Sequence, residues 1–310
     1  MTIQLLSHLS LILLLSSAVA CDAADAPAAD ALPRKPTTDY ALRTAKELKP
    51  TRVLIYKTVR EGTRDRKLEL HIFEPKNLKP ADKRPCFLAI HGGGWVAGTA
   101  DVMYCVASHF AERGWVGMSL VYRIQRPERG TTVFDAVRDA RSVVRYLRAH
   151  AAELGIDPAQ IVAGGRSAGG HLAAATALFD GVDEPAEDTA VSCVPNALAL
   201  YSAVLDTSAE GYGKDTIGER WQELSPLNHI RAGLPPTLVL HGIRDTITPV
   251  AGAKAFAEKM VAAGNKCELI LNERGNHSYM MRTEPLFLDA MRQTSEFLEK
   301  AGIRDPAVEK

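Results

Sequence analysis

From Cys86 onward, short apolar runs alternate with helix-like segments, and this alternation restricts the fold more than any other feature of the chain. Cys86–Ile90, Trp115–Tyr122, Ile161–Ala163, Ala197–Ser202, Thr237–Leu240 and Cys267–Leu271 read as strands. Val102–Arg113, Phe134–Leu154, Ala168–Phe179, Val250–Ala263 and Leu286–Ala301 read as the helices between and after them, with Val137, Val144 and Leu147 near helical spacing. A continuous apolar run such as Cys86–Ile90 suits a strand buried on both faces. Strands alternating with helices predict an α/β fold: a mainly parallel sheet covered on both faces. Sites on such sheets form at the carboxyl ends of the strands.

Ahead of this region, Asp39–Lys49 reads as a short helix closed by Pro50. Val53–Tyr56 and Leu68–Phe73, separated by a turn at Glu61–Thr63, read as an antiparallel hairpin and bring the strands to eight. Gly264 and Asn265 close the Val250–Ala263 helix as a glycine C-cap. Leu205–Leu224 has no clear period and is expected as an insertion over the site.

The N-terminal stretch has a different character. Leu9–Leu15 is mostly apolar, and Ser16–Ala20 is a run of small residues, the pattern of an export signal over residues 1–20. Ala18-Val19-Ala20 fits a small-x-small cleavage site, and Ala18-Val19-Ala20-Cys21 also resembles a bacterial lipoprotein box, which would tether the protein to a membrane through a lipidated Cys21. The expected location is therefore the periplasm or cell envelope, or else the medium. An Ala/Pro/Asp tract follows, so residues 21–38 are expected as a flexible tether and 39–310 as the folded domain. The 37 basic and 37 acidic side chains balance, which gives no electrostatic case for nucleic acid or for an anionic membrane face. Cys86, Cys105, Cys193 and Cys267 lack metal-ligand spacing and are expected as free structural thiols.

The chemistry concentrates in four places. Gly164-Gly165-Arg166-Ser167-Ala168-Gly169-Gly170-His171 lies between the Ile161–Ala163 strand and an Ala-rich helix, so Ser167 sits at a sharp strand-to-helix turn, the context of a nucleophile elbow. A serine hydroxyl needs a base. His277, on a loop after the Cys267–Leu271 strand, is the candidate, because His109 lies within a helix, His150 near a helix end and His229 on a polar connector. The base needs a carboxylate to orient it. Asp245, just beyond the Thr237–Leu240 strand, fits, with Asp206 as a rival that otherwise reads as a turn residue. His91-Gly92-Gly93-Gly94-Trp95 follows the buried Cys86–Ile90 strand, where Gly93 and Gly94 can turn their N–H groups toward an oxyanion, joined by the amide of Ala168. His91 is expected to brace this loop. Trp95 is either core or a substrate-contacting rim. No metal or cofactor is implied.

These landmarks, together with Val121-Tyr122-Arg123-Ile124, His241–Asp245 and Gly275-Asn276-His277, resemble the α/β-hydrolase superfamily in its esterase/lipase branch, over roughly residues 50–300. The resemblance is strongest to hormone-sensitive-lipase-like and xylan/feruloyl-esterase-like carboxylesterases. It implies a triad of Ser167, Asp245 and His277 and hydrolysis through an acyl-enzyme. The substrate would be a small-molecule or carbohydrate ester, including acetyl or feruloyl groups on polysaccharide side chains. An aryl formamidase or exopeptidase of the same fold shares these residues, and a non-catalytic binding module is the reading outside enzymes. Two positions depart from the hormone-sensitive-lipase pattern. Arg166 stands where Asp is usual, either in a surface salt bridge or facing the site, and only a short helix precedes the hairpin, so a minimal cap and an open site are expected.

Overall fold

The computed structural model describes residues 39–79, 82–185, 187–304 and 306. The expected signal and tether, residues 1–38, lie outside the described residues. The described residues form one compact unit.

The hairpin strands are longer than expected: β1 spans Arg52–Glu61 and β2 Arg64–Phe73. The polar ends Thr58–Glu61 and Arg64–Lys67 hide the strand signal in sequence, but their backbones pair in register from Thr58↔Lys67 to Glu61↔Arg64. β3 (Arg84–Ile90), β4 (Val116–Leu120), β5 (Ile156–Arg166), β6 (Ala197–Tyr201), β7 (Thr237–Gly242) and β8 (Cys267–Asn272) complete an eight-stranded sheet of order β1-β2-β4-β3-β5-β6-β7-β8. β1 and β2 are antiparallel and β3 to β8 run parallel, the expected arrangement.

The helices are α1 (Tyr40–Glu47), α2 (Tyr104–Glu112), α3 (Val133–Ala149), α4 (Ala151–Leu154), α5 (Ala168–Leu178), α6 (Lys214–Ile217), α7 (Val250–Ala262), α8 (Tyr279–Arg282) and α9 (Glu284–Lys300). The single long helix expected over Phe134–Leu154 is two, α3 and α4, divided at His150. α3 starts on a capping box, in which Asp135 and Thr132 satisfy each other's backbone N–H groups. α5 is buried along its whole length, which its Ala and Gly content permits, because small side chains let a helix lie close against the sheet. Two apolar clusters cover the two faces, one around Leu88, Val144 and Leu172 and the other around Phe87, Phe110 and Phe287. No helix among the described residues is long and apolar enough to cross a membrane.

Register sets the site. Ile90 pairs with Gly165, and Arg166 with Tyr201. The loop after β3 and the turn after β5 therefore leave the sheet side by side. Gly242 pairs with Asn272, so the loops after β7 and β8 do the same one step further along.

Candidate active site

Ser167 sits between β5 and α5 with φ +56° and ψ −123°, a conformation that a non-glycine residue holds only when its surroundings enforce it. Three backbone hydrogen bonds enforce it. Ser167 N–H donates to Tyr201 O (3.0 Å), and Ser167 O accepts from His171 N–H (3.1 Å) and Val204 N–H (3.2 Å). The turn needs its glycines for space. A Cβ on Gly165 would lie 2.5 Å from the Gly169 carbonyl, and one on Gly169 would run into the carbonyls of Ile90 and His91.

His277 Nε2 lies 2.9 Å from Ser167 Oγ, and its Nδ1 lies 2.9 Å from Asp245 Oδ2. Asp245 can only accept there, so Nδ1 carries the ring proton and Nε2 is free to accept from the serine hydroxyl. Asp245 Oδ1 takes the N–H groups of Ile247 and Thr248 at 2.9 Å each. Burial pushes its carboxyl up. Hydrogen bonds from His241, His277 and the Thr248 N–H outweigh that and hold it well below the usual carboxylate range. Asp245 is therefore ionised wherever the protein is folded near neutral pH. Asp206, the rival, is a turn residue: its Oδ1 accepts from Ser208 N–H and its carbonyl from Tyr212 N–H.

Two residues that sequence reasoning left out complete this arrangement. Thr248 Oγ1 lies 2.8 Å from Asp245 Oδ2, 3.1 Å from His277 Nδ1 and 3.2 Å from Ser202 O. His241 Nε2 lies 2.8 Å from Thr248 O and 3.3 Å from Asp245 Oδ2. The carbonyl fixes the proton on Nε2, so His241 presents a donor to the carboxylate. His241 opens the His241–Asp245 landmark without a role of its own there, and the hint for Thr248 was its closeness to Asp245, three positions away.

On the opposite wall, Gly93 (φ +124°) and Gly94 (φ +59°) turn the loop after β3 back on itself, with Gly93 O accepting from Val96 and Ala97 N–H. The N–H groups of Gly93, Gly94 and Ala168 donate to no acceptor among the described residues. Unpaired main-chain donors at a largely buried position call for a ligand group. Gly92 brings them close to the serine, since a Cβ there would lie 2.8 Å from Arg166 O and 3.1 Å from Ser167 Cβ. His91 braces the loop through Nδ1 on Gly92 O (2.7 Å) and stacks on Tyr122, whose hydroxyl donates to His91 O (3.0 Å). Burial lowers the His91 pKa to about 4, so the ring is neutral.

Trp95 corrects its reading as a substrate contact. Its side chain is fully buried, edge-on to His171 and against Tyr212, and it supports the loop from below. A side chain of that size adjoining a run of three glycines has its own φ of +64°, which turns the ring into the core. The four cysteines in the described region are free, and burial pushes the Cys86, Cys105 and Cys267 thiols up to about 12, which removes them as nucleophiles at neutral pH. Among the described residues no three His, Cys, Asp or Glu side chains are placed to hold a metal ion.

A family model described as BD-FAE matches residues 70–209. Among solved structures the chain is similar to Thermogutta terrifontis esterase 2 phosphoramylated by tabun. The two are 38% identical with a TM-score of 0.76, over 81% of this chain and 95% of that one. It is similar also to the propionate-bound form of that esterase, at 37% identity and TM-score 0.74, over 81% and 94%. Among curated proteins it is 29% identical over 243 residues to the probable carboxylic ester hydrolase LipM of Mycobacterium tuberculosis, covering 70% of this chain and 56% of LipM. The chain spans about half the length of the curated relatives it matches.

Proposed function

This chain belongs to the α/β-hydrolase superfamily, in its esterase/lipase branch, and on that premise we propose that it is a serine carboxylesterase acting through an acyl-enzyme on Ser167. The observation that carries the reading is the unbroken line from Ser167 Oγ through His277 to Asp245, with 2.9 Å at each step, facing unpaired N–H donors.

Ser167 Oγ attacks the ester carbonyl carbon while its proton passes to His277 Nε2. The imidazolium so formed is held by ionised Asp245, which accepts from Nδ1. Negative charge gathers on the former carbonyl oxygen and meets the N–H groups of Gly93, Gly94 and Ala168, the last at the positive end of α5. The carbon–oxygen bond to the alcohol breaks, and His277 Nε2 gives its proton to the leaving oxygen. Water then adds to the acyl-Ser167 carbonyl with its proton going to His277. Collapse frees the carboxylic acid and returns the proton to Ser167.

Short acyl groups are the proposed substrates. The propionate-bound and butyrate-bound structures of the similar Thermogutta esterase support that choice. Acetyl or feruloyl groups on polysaccharide side chains are the finer proposal, supported by the export pattern in residues 1–20. That same pattern supports the proposal of an exported protein acylated at Cys21, which mass spectrometry of the mature N-terminus tests: an unmodified start refutes it.

For the activity itself, the test compares purified wild type with Ser167→Ala on nitrophenyl esters of rising acyl length. The wild type is expected to prefer two- to four-carbon acyl groups, and the variant to lose about 10⁴-fold or more in kcat with its fold retained. Equal rates in the two proteins would remove Ser167 from the reaction.

A further inference from the structure

We propose that the hydroxyl of Tyr212 is a further donor to the oxyanion formed at Ser167, carried to the site by the insertion between β6 and β7. This rests on the esterase reading above. A Cβ built on Gly94 would lie 2.5 Å from Tyr212 Oη and 3.5 Å from its Cζ. The hydroxyl thus occupies the space that any side chain at position 94 would take, directly against the loop whose N–H groups are unpaired. Glycine at 94 then does two things: it allows φ +59°, and it leaves room for this oxygen.

The ring of this half-buried residue is held in place, and its hydroxyl remains free to donate. Its ring packs on Trp95 with centroids 5.8 Å apart, and its main-chain N–H donates to Asp206 O at 3.0 Å. Its hydroxyl meets no acceptor among the described residues. The segment that carries it is tied to the site at several points. It starts beside the nucleophile, where Val204 N–H donates to Ser167 O, and closes where Leu227 N–H donates to Leu205 O at 3.1 Å. Midway, Gln125 Nε2 donates to Thr216 O (3.0 Å), while Gln125 N–H donates to Trp95 O (2.6 Å). The insertion and the glycine loop are therefore bound to the same residue, and the tyrosine has little freedom to leave. A donor fixed in advance stabilises developing charge without reorganising during the reaction.

Steady-state kinetics of the full chain on nitrophenyl butyrate test this with Tyr212→Phe, which keeps the ring on Trp95 and deletes only the hydroxyl. A fluorophosphonate label driven to completion on Ser167 counts the competent sites, so that kcat refers to folded molecules alone. The expected result is kcat lower by about 10–100-fold with KM little changed, because the lost bond is made to a charge present only in the transition state. An unchanged kcat, or a rise in KM alone, overturns the assignment. A wild type that labels but hydrolyses no ester overturns the esterase reading itself, and this proposal with it.

Discussion

Arg166 Nη1 donates to Ser278 Oγ at 2.7 Å, joining the residue before the nucleophile turn to the residue after the base. The two flank the Ser167–His277 contact, so the bond closes a small ring around it. No carboxylate lies within ion-pair distance of Arg166 among the described residues, so the surface salt bridge considered from sequence is not what occupies this side chain. Burial lowers its pKa, opposed by the charges of Asp39 and Asp245, yet a guanidinium stays protonated at any working pH. Arg166 and Ser278 are expected to position His277. Ser278→Ala and Arg166→Ala should each lower kcat by about tenfold with KM little changed, and cost about 1 kcal/mol of stability for a part-buried hydrogen bond lost. Arg166→Lys should recover part of the rate. Wild-type kcat in both alanine variants would reduce the pair to packing.

Asp245 ties activity and stability to pH in a defined way. Its folded pKa lies below the unfolded value, near 3.9, so the stability it contributes is fully present above about pH 4 and lost as pH falls through the folded value. Asp245→Asn should therefore be less stable than wild type at pH 7, with the gap closing progressively below about pH 4. The same variant should lose about 10⁴-fold in kcat at neutral pH, since the amide no longer holds His277 in the tautomer that leaves Nε2 free. Chemical denaturation at pH 7 and pH 3 checks the first statement; a gap that widens in acid contradicts it.

Most of this site was legible in the sequence because each part leaves a local signature. A buried strand followed by three glycines, a strand-turn-helix around Ser167, and Asp245 and His277 each just past a strand need only neighbouring residues to be seen. The parts that escaped are defined across the fold. Thr248 matters because the loops after β7 and β8 bring its hydroxyl to His277, 29 positions away, and His241 because the loop that follows its strand folds back to set Asp245 and Thr248 against its ring. Trp95 escaped differently. An aromatic beside a glycine loop suits a rim and a core equally, and only its backbone angle decides. The short helix α8 has no periodic signal in four residues, and it forms because Tyr279, Met280 and Met281 pack into the core.

His91 and His171 should make the fold acid-sensitive in a separate window. Burial lowers both to about 4, against about 6.5 in an unfolded chain. The unfolded chain takes up protons in that interval that the folded one refuses, so stability is lost as pH falls from about 6.5 toward 4, on the order of 3 kcal/mol per ring at full extent. His171 is fixed by Nε2 on Leu224 O at 2.7 Å, with Trp95 and Phe179 around it. His171→Gln keeps a donor and cannot titrate. Its stability should be lower at pH 7 and should vary less between pH 7 and 4.5 than that of wild type. Parallel curves would show that His171 does not contribute.

The glycines of the turn should tolerate nothing larger, for reasons that differ from those at a surface cap. A methyl at 165 meets the Gly169 carbonyl at 2.5 Å and Ile90 O at 2.7 Å, and a methyl at 169 meets the Ile90 and His91 carbonyls from the other side. All of these are backbone atoms of β3, α5 and the glycine loop, so none can swing away as a flexible side chain would. Relief requires α5 to shift relative to β3, which moves Ser167 relative to Gly93 and Gly94. Gly264, by contrast, has φ +80° and nothing within 4 Å of a built Cβ, so its alanine variant bears only the left-handed strain of about 1–2 kcal/mol. Gly165→Ala and Gly169→Ala are expected to lose about 1–3 kcal/mol or more to overpacking and most of their kcat. Gly264→Ala should keep wild-type kcat with a modest fall in melting temperature. If Gly169→Ala behaved like Gly264→Ala in both measurements, close approach at the turn would not be what the second glycine supplies.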